Sequence, residues 1–395
     1  MKKLFTLSLL STIMFAASAQ ATYPTDGYYR VSNKGTHRYV YVSDNVGSMN
    51  IAAGSAEMGA LCLYMSPERR LSDPASVIYF DCVDNGSHKY DLRAQGTGVY
   101  QIIQHYVQVA VKGDGIQLYA SSNGLTKYLA DGRKNTNRED GKMDTEATGD
   151  YRIWYATPVD ASTDEYFGIK PIVQSAGKYY YPFYASFPFS FYSSGMKAYY
   201  ISKVDAALGM AVIKEYTGDV KAGATPFIIE CSSDAATNNR LNILANGGTK
   251  PSDNQLQGNY FFNPQHAAAG TNAYKVFDAA TMRLLEVDHS GKLVFTNQTS
   301  RYETYESNTS FKGVKFLPAN QSYITVPTGT VDEIKVVTQE EYDEETSGIS
   351  SVCNDQEITP AVYDLSGKMI RRAGESTDNL PAGTYIMGGR KIQVR

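Results

Sequence analysis

The sequence predicts an all-β protein built of successive β modules, and three observations predict it. Tyrosine is abundant, with 31 Tyr beside 15 Phe and a single Trp. Tyr favours strands and tolerates half-wet positions, because its ring packs while its hydroxyl reaches water. The 33 Gly supply tight turns. Strand-like runs recur along the chain: YYRVSN, HRYVYVSD, VIYFDC, YQIIQHYVQVAV, AYYISK, GMAVIKEY, PFIIEC, YKVFD, LVFTN and SYITV. Turn signals DNG, GDG, SNG and HSGK separate them. No amphipathic helix of useful length is predicted; the best candidate, DAATMRLLEVD, becomes strand-like at Leu284.

The first element is not part of the fold. Residues 1–21 read as a secretory signal peptide: Lys2 and Lys3, an apolar run from Leu4 to Ala17, then the small residues Ala19 and Ala21 where signal peptidase reads. No later stretch approaches ~18 uninterrupted apolar residues, so no membrane span is expected. Losing Lys2 and Lys3 lowers the 37 basic residues by two against 41 acidic ones. A mildly acidic chain with scattered Lys and Arg carries no nucleic-acid footprint. Export permits disulfides. Cys62 and Cys82 are the pair a bridge would join, the alternative being that both are free; Cys231 and Cys353 read as free thiols. None forms a CxxC, which argues against a zinc or redox site.

Residues 22–177 repeat a strand–turn–strand phrase: YYRVSNKGTHRYVYVSD from Tyr28, VIYFDCVDNGSHKYDLRA from Val77, IQLYASSNGLTKYLADG from Ile116 and YFGIKPIVQSAGKYYYP from Tyr166. Repeats of about 40–50 residues are those of a β-trefoil. The stretch RIWYATPVDASTDEYFGIKP resembles the Trp-loop-Tyr step joining repeats in ricin-type modules. The sugar-binding QxW triplets of that family are absent, and Trp154 is the sole Trp. A β-trefoil-like domain is therefore expected over 22–177, with a β-sandwich as the alternative.

Next comes KYYYPFYASFPFSFYSSGMKAYY, Lys178 to Tyr200. Between 183 and 191, odd positions carry Phe183, Ala185, Phe187, Phe189 and Phe191, while even ones carry Tyr184, Ser186, Pro188 and Ser190. Side chains alternate faces along a strand, so this reads as half-buried, with an edge or bulge at Pro188. YASFPFSF, KAYYISK, AGATPFIIE, NQLQGNYFF and LPANQSYITV together resemble a recurrent β-rich module of secreted bacterial surface proteins. The resemblance implies a β-sandwich-like domain over 178–338 and no activity. The acidic, then small and polar, residues 339–352 read as a linker.

The tail, 353–395, predicts a small β module. Ser366-Gly367 and Gly388-Gly389 are hairpin turns between short strands. With VYDLSGK, LPAGTYIM and a closing basic–apolar alternation, it resembles the C-terminal sorting domain of the type IX secretion system. That resemblance implies recognition by outer-membrane secretion machinery and delivery outside the cell or to its surface. It points to Leu380, Pro381, Gly383, Tyr385, Arg390 and Lys391.

Catalytic signatures are missing: there is no GxSxG, P-loop or HExxH. His37, His88, His105, His266 and His289 are scattered. NTNREDGKMDTE places Asn135, Asn137, Glu139 and Glu146 near calcium-loop spacing, but Asp140 stands where that loop needs Gly. It reads as a polar surface loop, and no metal or cofactor is expected. The expected function is non-catalytic binding of a glycan or a cell-surface protein, using Tyr28, Tyr39, Tyr41, Tyr128 and Trp154. The alternative is a secreted glycosidase or peptidase whose site is assembled only in space.

Overall fold

Strands of alternating polarity dominate the computed structural model, which describes residues 21–42, 63–95, 106–122, 125–131, 142–144, 149–260, 275–304, 312–346, 360–373, 375–377 and 379–394. The first part of the chain forms β1 (Gly27–Asn33), β2 (Tyr39–Val42), β3 (Leu63–Ser66), β4 (Ile78–Asp84), β5 (Lys89–Ala94), β6 (Val107–Lys112), β7 (Gly115–Ser122), β8 (Leu125–Ala130), β9 (Lys142–Asp144) and β10 (Trp154–Pro158). Six of them, β1, β4, β5, β6, β7 and β10, pair in a closed circuit, because β10 pairs with both β7 and β1. Val31, Phe80, Leu92, Val109, Leu118 and Trp154 fill its core. Burial of such side chains contributes about 1.5–3 kcal/mol each.

The first and third thirds of this barrel share one layout. The hairpin β2–β3 branches from β1, and β8–β9 branches from β7. A short 3₁₀ turn then leads into the closing strand, Pro74–Ser76 before β4 and Gly149–Arg152 before β10. In each, an arginine covers the hairpin tyrosine: Arg70 lies 3.6 Å from the Tyr41 ring centre and Arg152 lies 4.8 Å from that of Tyr128.

The second part begins earlier than expected. Strands β11 (Phe167–Gly168) and β12 (Val173–Ser175) precede β13 (Lys178–Phe183), β14 (Phe189–Phe191), β15 (Lys197–Asp205), β16 (Met210–Tyr216), β17 (Phe227–Cys231), β18 (Arg240–Ile243), β19 (Gln257–Asn259), β20 (Met282–Val287), β21 (Leu293–Thr296), β22 (Glu303–Thr304), β23 (Lys315–Phe316), β24 (Gln321–Thr325) and β25 (Glu333–Val337). β11 pairs with β18 and β12 with β13, so residues 167–177 belong to this module, not to the first. The expected sandwich is also corrected. Strands β13, β17, β15, β16, β25, β21, β20 and β24 close into an eight-strand barrel, because Phe183 pairs with both Phe227 and Gln321.

The Phe-rich stretch departs from the half-buried alternation expected of it: Tyr184 and Ser186, on the face expected to be wet, are buried too, and Phe191 is only half-buried. Phe183, Phe187 and Phe189 are buried, but the chain leaves β13 after Phe183 and resumes pairing only at Phe189. It thereby crosses to a three-strand layer, β11–β18–β14. Phe189 meets Phe183 and Phe227 edge-on at 5.3 and 6.3 Å between ring centres.

The predicted linker is corrected too. Residues 339–346 form helix α1 (Gln339–Thr346). Thr338 and Glu341 cap it reciprocally: Glu341 N–H donates to Thr338 Oγ1 (3.2 Å) and Thr338 N–H to Glu341 Oε2 (2.7 Å). Tyr342 packs on Met210 and Val212, and its hydroxyl donates to Asp205 Oδ2 (2.7 Å). Residues 347–352 lie outside the described residues.

A polar seam joins the two barrels. Buried Arg30 donates to the carbonyls of Arg70 and Tyr166 and to Ser76 Oγ, and faces Glu165 at 3.1 Å. Gln95 and Asn320 exchange amide hydrogen bonds of 3.3 and 2.7 Å. The Tyr184 and Tyr260 rings, 4.4 Å apart, pack into the first barrel's core.

The tail forms its own sheet from β26 (Val362–Asp364), β27 (Met369–Arg371), β28 (Gly383–Met387) and β29 (Arg390–Val394), in the order β27–β26–β28–β29. Val362, Leu380 and Tyr385 form its core. Its first hairpin repeats one in the eight-strand barrel. DHSGK (288–292) and DLSGK (364–368) share one loop geometry. The Asp Oδ1 accepts from the Ser N–H, the Ser hydroxyl and the Lys N–H at 2.8, 2.7 and 2.9 Å in the first and 2.9, 2.6 and 3.0 Å in the second. In both, the strand after LPA returns beside the hairpin's first strand: β24 beside β20, and β28 beside β26.

Candidate functional site

The outward face of β6, β7 and β8 gathers aromatic and polar side chains. Val107 and Val109 of β6, and Ile116 and Leu118 of β7, point into the core. Period two therefore turns Gln108, Gln117 and Tyr119 outward. Gln108 pairs with Tyr119, and Tyr119 with Tyr128, so the three form one row across three strands. The Tyr119 and Tyr128 ring centres are 5.9 Å apart. Tyr106, immediately before β6, is 55% exposed. Ser121 and Thr126 share a 2.8 Å hydroxyl hydrogen bond on the same face. Gln117 is buried, and its Nε2 donates to nothing. Strands lie about 4.8 Å apart, so the row is a nearly flat strip on the order of 10 Å wide. Flat tyrosine faces flanked by amides and hydroxyls suit stacking of apolar ring faces with hydrogen bonds at their edges.

The sequence-predicted residues divide. Tyr128 belongs to this face. Tyr39 is half-buried on β2, opposite Ser32 and Ser66. Tyr28, Tyr41 and Trp154 are buried, which corrects their assignment as ligand contacts. Tyr28 packs between Tyr79 and Phe187 at the seam, and burial, then Tyr79, pushes its phenol far above the usual range. Trp154 is wholly enclosed and donates Nε1–H to the Leu129 carbonyl (2.9 Å). Tyr106 and Tyr119 were missed. The alternation in YVQVAV and GIQLYAS is the signal that turns both outward.

Cys82 is a free, half-buried thiol, and no disulfide occurs among the described residues. Cys62, Cys353, the near-calcium-loop residues Asn135, Asn137, Glu139 and Glu146, and His105 and His266 lie outside the described residues. Cys231 is free and buried, its thiol pushed up to about 12 by burial and the neighbouring Glu230.

In the tail, Leu380 and Tyr385 are core residues, and the Tyr385 hydroxyl donates to the Pro381 carbonyl (2.8 Å). Gly383 opens β28, while Pro381, Arg390 and Lys391 are exposed.

The densest polar cluster of the eight-strand barrel surrounds Glu230. It accepts from Lys178 Nζ (3.1 Å), Tyr199 (3.1 Å) and Tyr180 (3.4 Å). Burial and Glu230 push the Tyr180 phenol up to about 12 and raise Tyr199. Both phenols are held as donors to Oε2, and Lys178 Nζ also lies 3.0 Å from Oε1. Among the described residues, no three His, Cys, Asp or Glu side chains are placed to hold a metal ion. No family model matches the chain, and no curated protein matches it.

Proposed function

We propose that this chain is an exported, non-catalytic binding protein that takes a glycan on the tyrosine face of its first barrel. The observation that carries the reading is the row Gln108–Tyr119–Tyr128 with exposed Tyr106 beside it. Tyr rings give contact area at low entropic cost. The first barrel supports a trefoil-like reading: a closed six-strand circuit, with a hairpin and a 3₁₀ turn in the same places in its first and third parts.

For delivery, the reading is a signal peptide followed by a type IX-like tail, with outer-membrane secretion machinery as the partner. The tail's self-contained core supports it, since an address is best read from a module that folds alone. The protein is directed outside the cell or onto its surface.

A glycan array with the secreted form tests the binding reading: signal on a defined class of glycans, abolished by Tyr119→Ala, is expected. Blank spots throughout, or release of reducing ends from a bound glycan, would overturn it. Deleting residues 353–395 tests the address. Retention inside the cell envelope is expected, and undiminished export would contradict it.

A further inference from the structure

The outer face of the first barrel continues past the tyrosines onto β5 and β4. Lys89 pairs with Gln108 and Tyr90 with Val107, so the same register sets Asp91 beside Tyr106. Asp91 pairs in turn with Asp81 on β4. Two carboxylates directly opposite each other repel. Asp26, exposed before β1, adds a third; its Oδ1 accepts from the Cys82 N–H (2.7 Å). Arg93 engages Asp91 Oδ2 at 2.5 Å, and exposed Lys89 stands on the same face two residues before Asp91. The other oxygen, Oδ1, accepts no hydrogen bond although Asp91 is only 2% exposed. A buried carboxylate oxygen without a donor is costly. Burial, then Asp26, then Asp91 raise the Asp81 carboxyl, against a smaller opposing pull from Arg93. Burial, Asp26 and Asp81 raise the Tyr79 phenol on the same face. At this end of the tyrosine strip the three carboxylates Asp26, Asp81 and Asp91 face two cations, Lys89 and Arg93.

We propose that Asp81 and Asp91, with Asp26 at the rim, receive the charged amine of an amino sugar whose neighbouring ring rests on Tyr106 and Tyr119. This rests on the reading of the tyrosine face as a glycan site. Asp81 and Tyr106 stand two strand spacings apart, about 10 Å. An incoming ammonium favours the ionised carboxylates, so binding opposes the upward shift that burial and Asp26 impose on Asp81. It also brings a positive charge to the end of the face where Asp91 Oδ1 lacks a donor.

Isothermal titration of the secreted chain with a glucosamine tetramer, its N-acetylated counterpart and cellotetraose is the test. It is run at about pH 6, where an ordinary amine keeps its proton. The glucosamine tetramer is expected to bind at least about tenfold tighter than either neutral chain, a difference of about 1.4 kcal/mol. Asp81→Asn is expected to remove the preference while neutral binding persists. Asp26→Asn, at an exposed position, is expected to weaken the preference about two- to threefold. Equal affinity for charged and neutral chains, or a preference unchanged in Asp81→Asn, overturns the proposal alone. Failure of all three tetramers to bind overturns the glycan reading with it.

Discussion

Arg283 is buried inside the eight-strand barrel, and backbone carbonyls meet its guanidinium. Ala279, Met282, Thr330 and Val331 accept from it at 2.8–3.3 Å. Replacing it by Met is expected to strip those carbonyls of donors and to cost about 2–4 kcal/mol, read from the urea midpoint. Asp81 works in the opposite sense. Its carboxyl is raised in the folded state, so its contribution to stability is full below the unfolded value and is lost as pH rises through the folded one. Asp81→Asn should therefore flatten the fall in stability as pH rises above the ordinary aspartate value, measured by thermal melts; an unchanged slope would contradict this. At this scale, composition misleads about function. Tyr41 and Tyr128 read alike in sequence and each lies under an arginine, yet Tyr41 is buried while Tyr128 stays half-buried in the row with Tyr119. Period two separates the faces of a strand but does not say which face another element will cover.

Elements carry the most legible part of the fold. The alternation through Phe183–Phe191 predicts one buried face; the structure buries Phe183, Phe187 and Phe189 but also Tyr184 and Ser186, because the chain leaves the sheet between β13 and β14. The acidic run at 339–352 reads as solvated chain, which hid α1 and the reciprocal cap that Thr338 and Glu341 form at its start. Closure of the eight-strand barrel was not legible. It depends on Phe183 meeting Gln321, residues far apart in sequence that no local pattern links. The repeated DxSGK hairpin shows that part of the tail's signature is turn chemistry. Gly291 and Gly367 hold φ of 81° and 83°, and a methyl group at either would meet nothing within 4 Å. Alanine at either is expected to cost about 1–2 kcal/mol through backbone strain alone. Equal costs at the two sites would show that the loop serves both modules in the same way. If Gly367→Ala blocked export while melting as gently as Gly291→Ala destabilises the barrel, the loop itself would be part of the address.

The whole molecule is two barrels fused at a buried seam, followed by a tail whose core is its own. Arg30, Gln95 and Asn320 are buried at that seam, and Gly258 has no room for a side chain, since a Cβ there would lie 2.3 Å from the Tyr184 ring. The barrels are therefore expected to unfold as one transition, and Gly258→Ala to split or broaden it in calorimetry. Removing the tail should leave that transition in place. The rigid seam also fixes the tyrosine face on an inflexible support, which suits a binding surface better than a hinge. The central claim is that this face, and not another, is where a ligand settles. Hydrogen–deuterium exchange with and without a bound glycan tests it most directly. Protection confined to peptides spanning Tyr106–Ala130 and the adjoining β4–β5 hairpin is the predicted result. Protection elsewhere on the molecule, with these peptides unchanged, would contradict it.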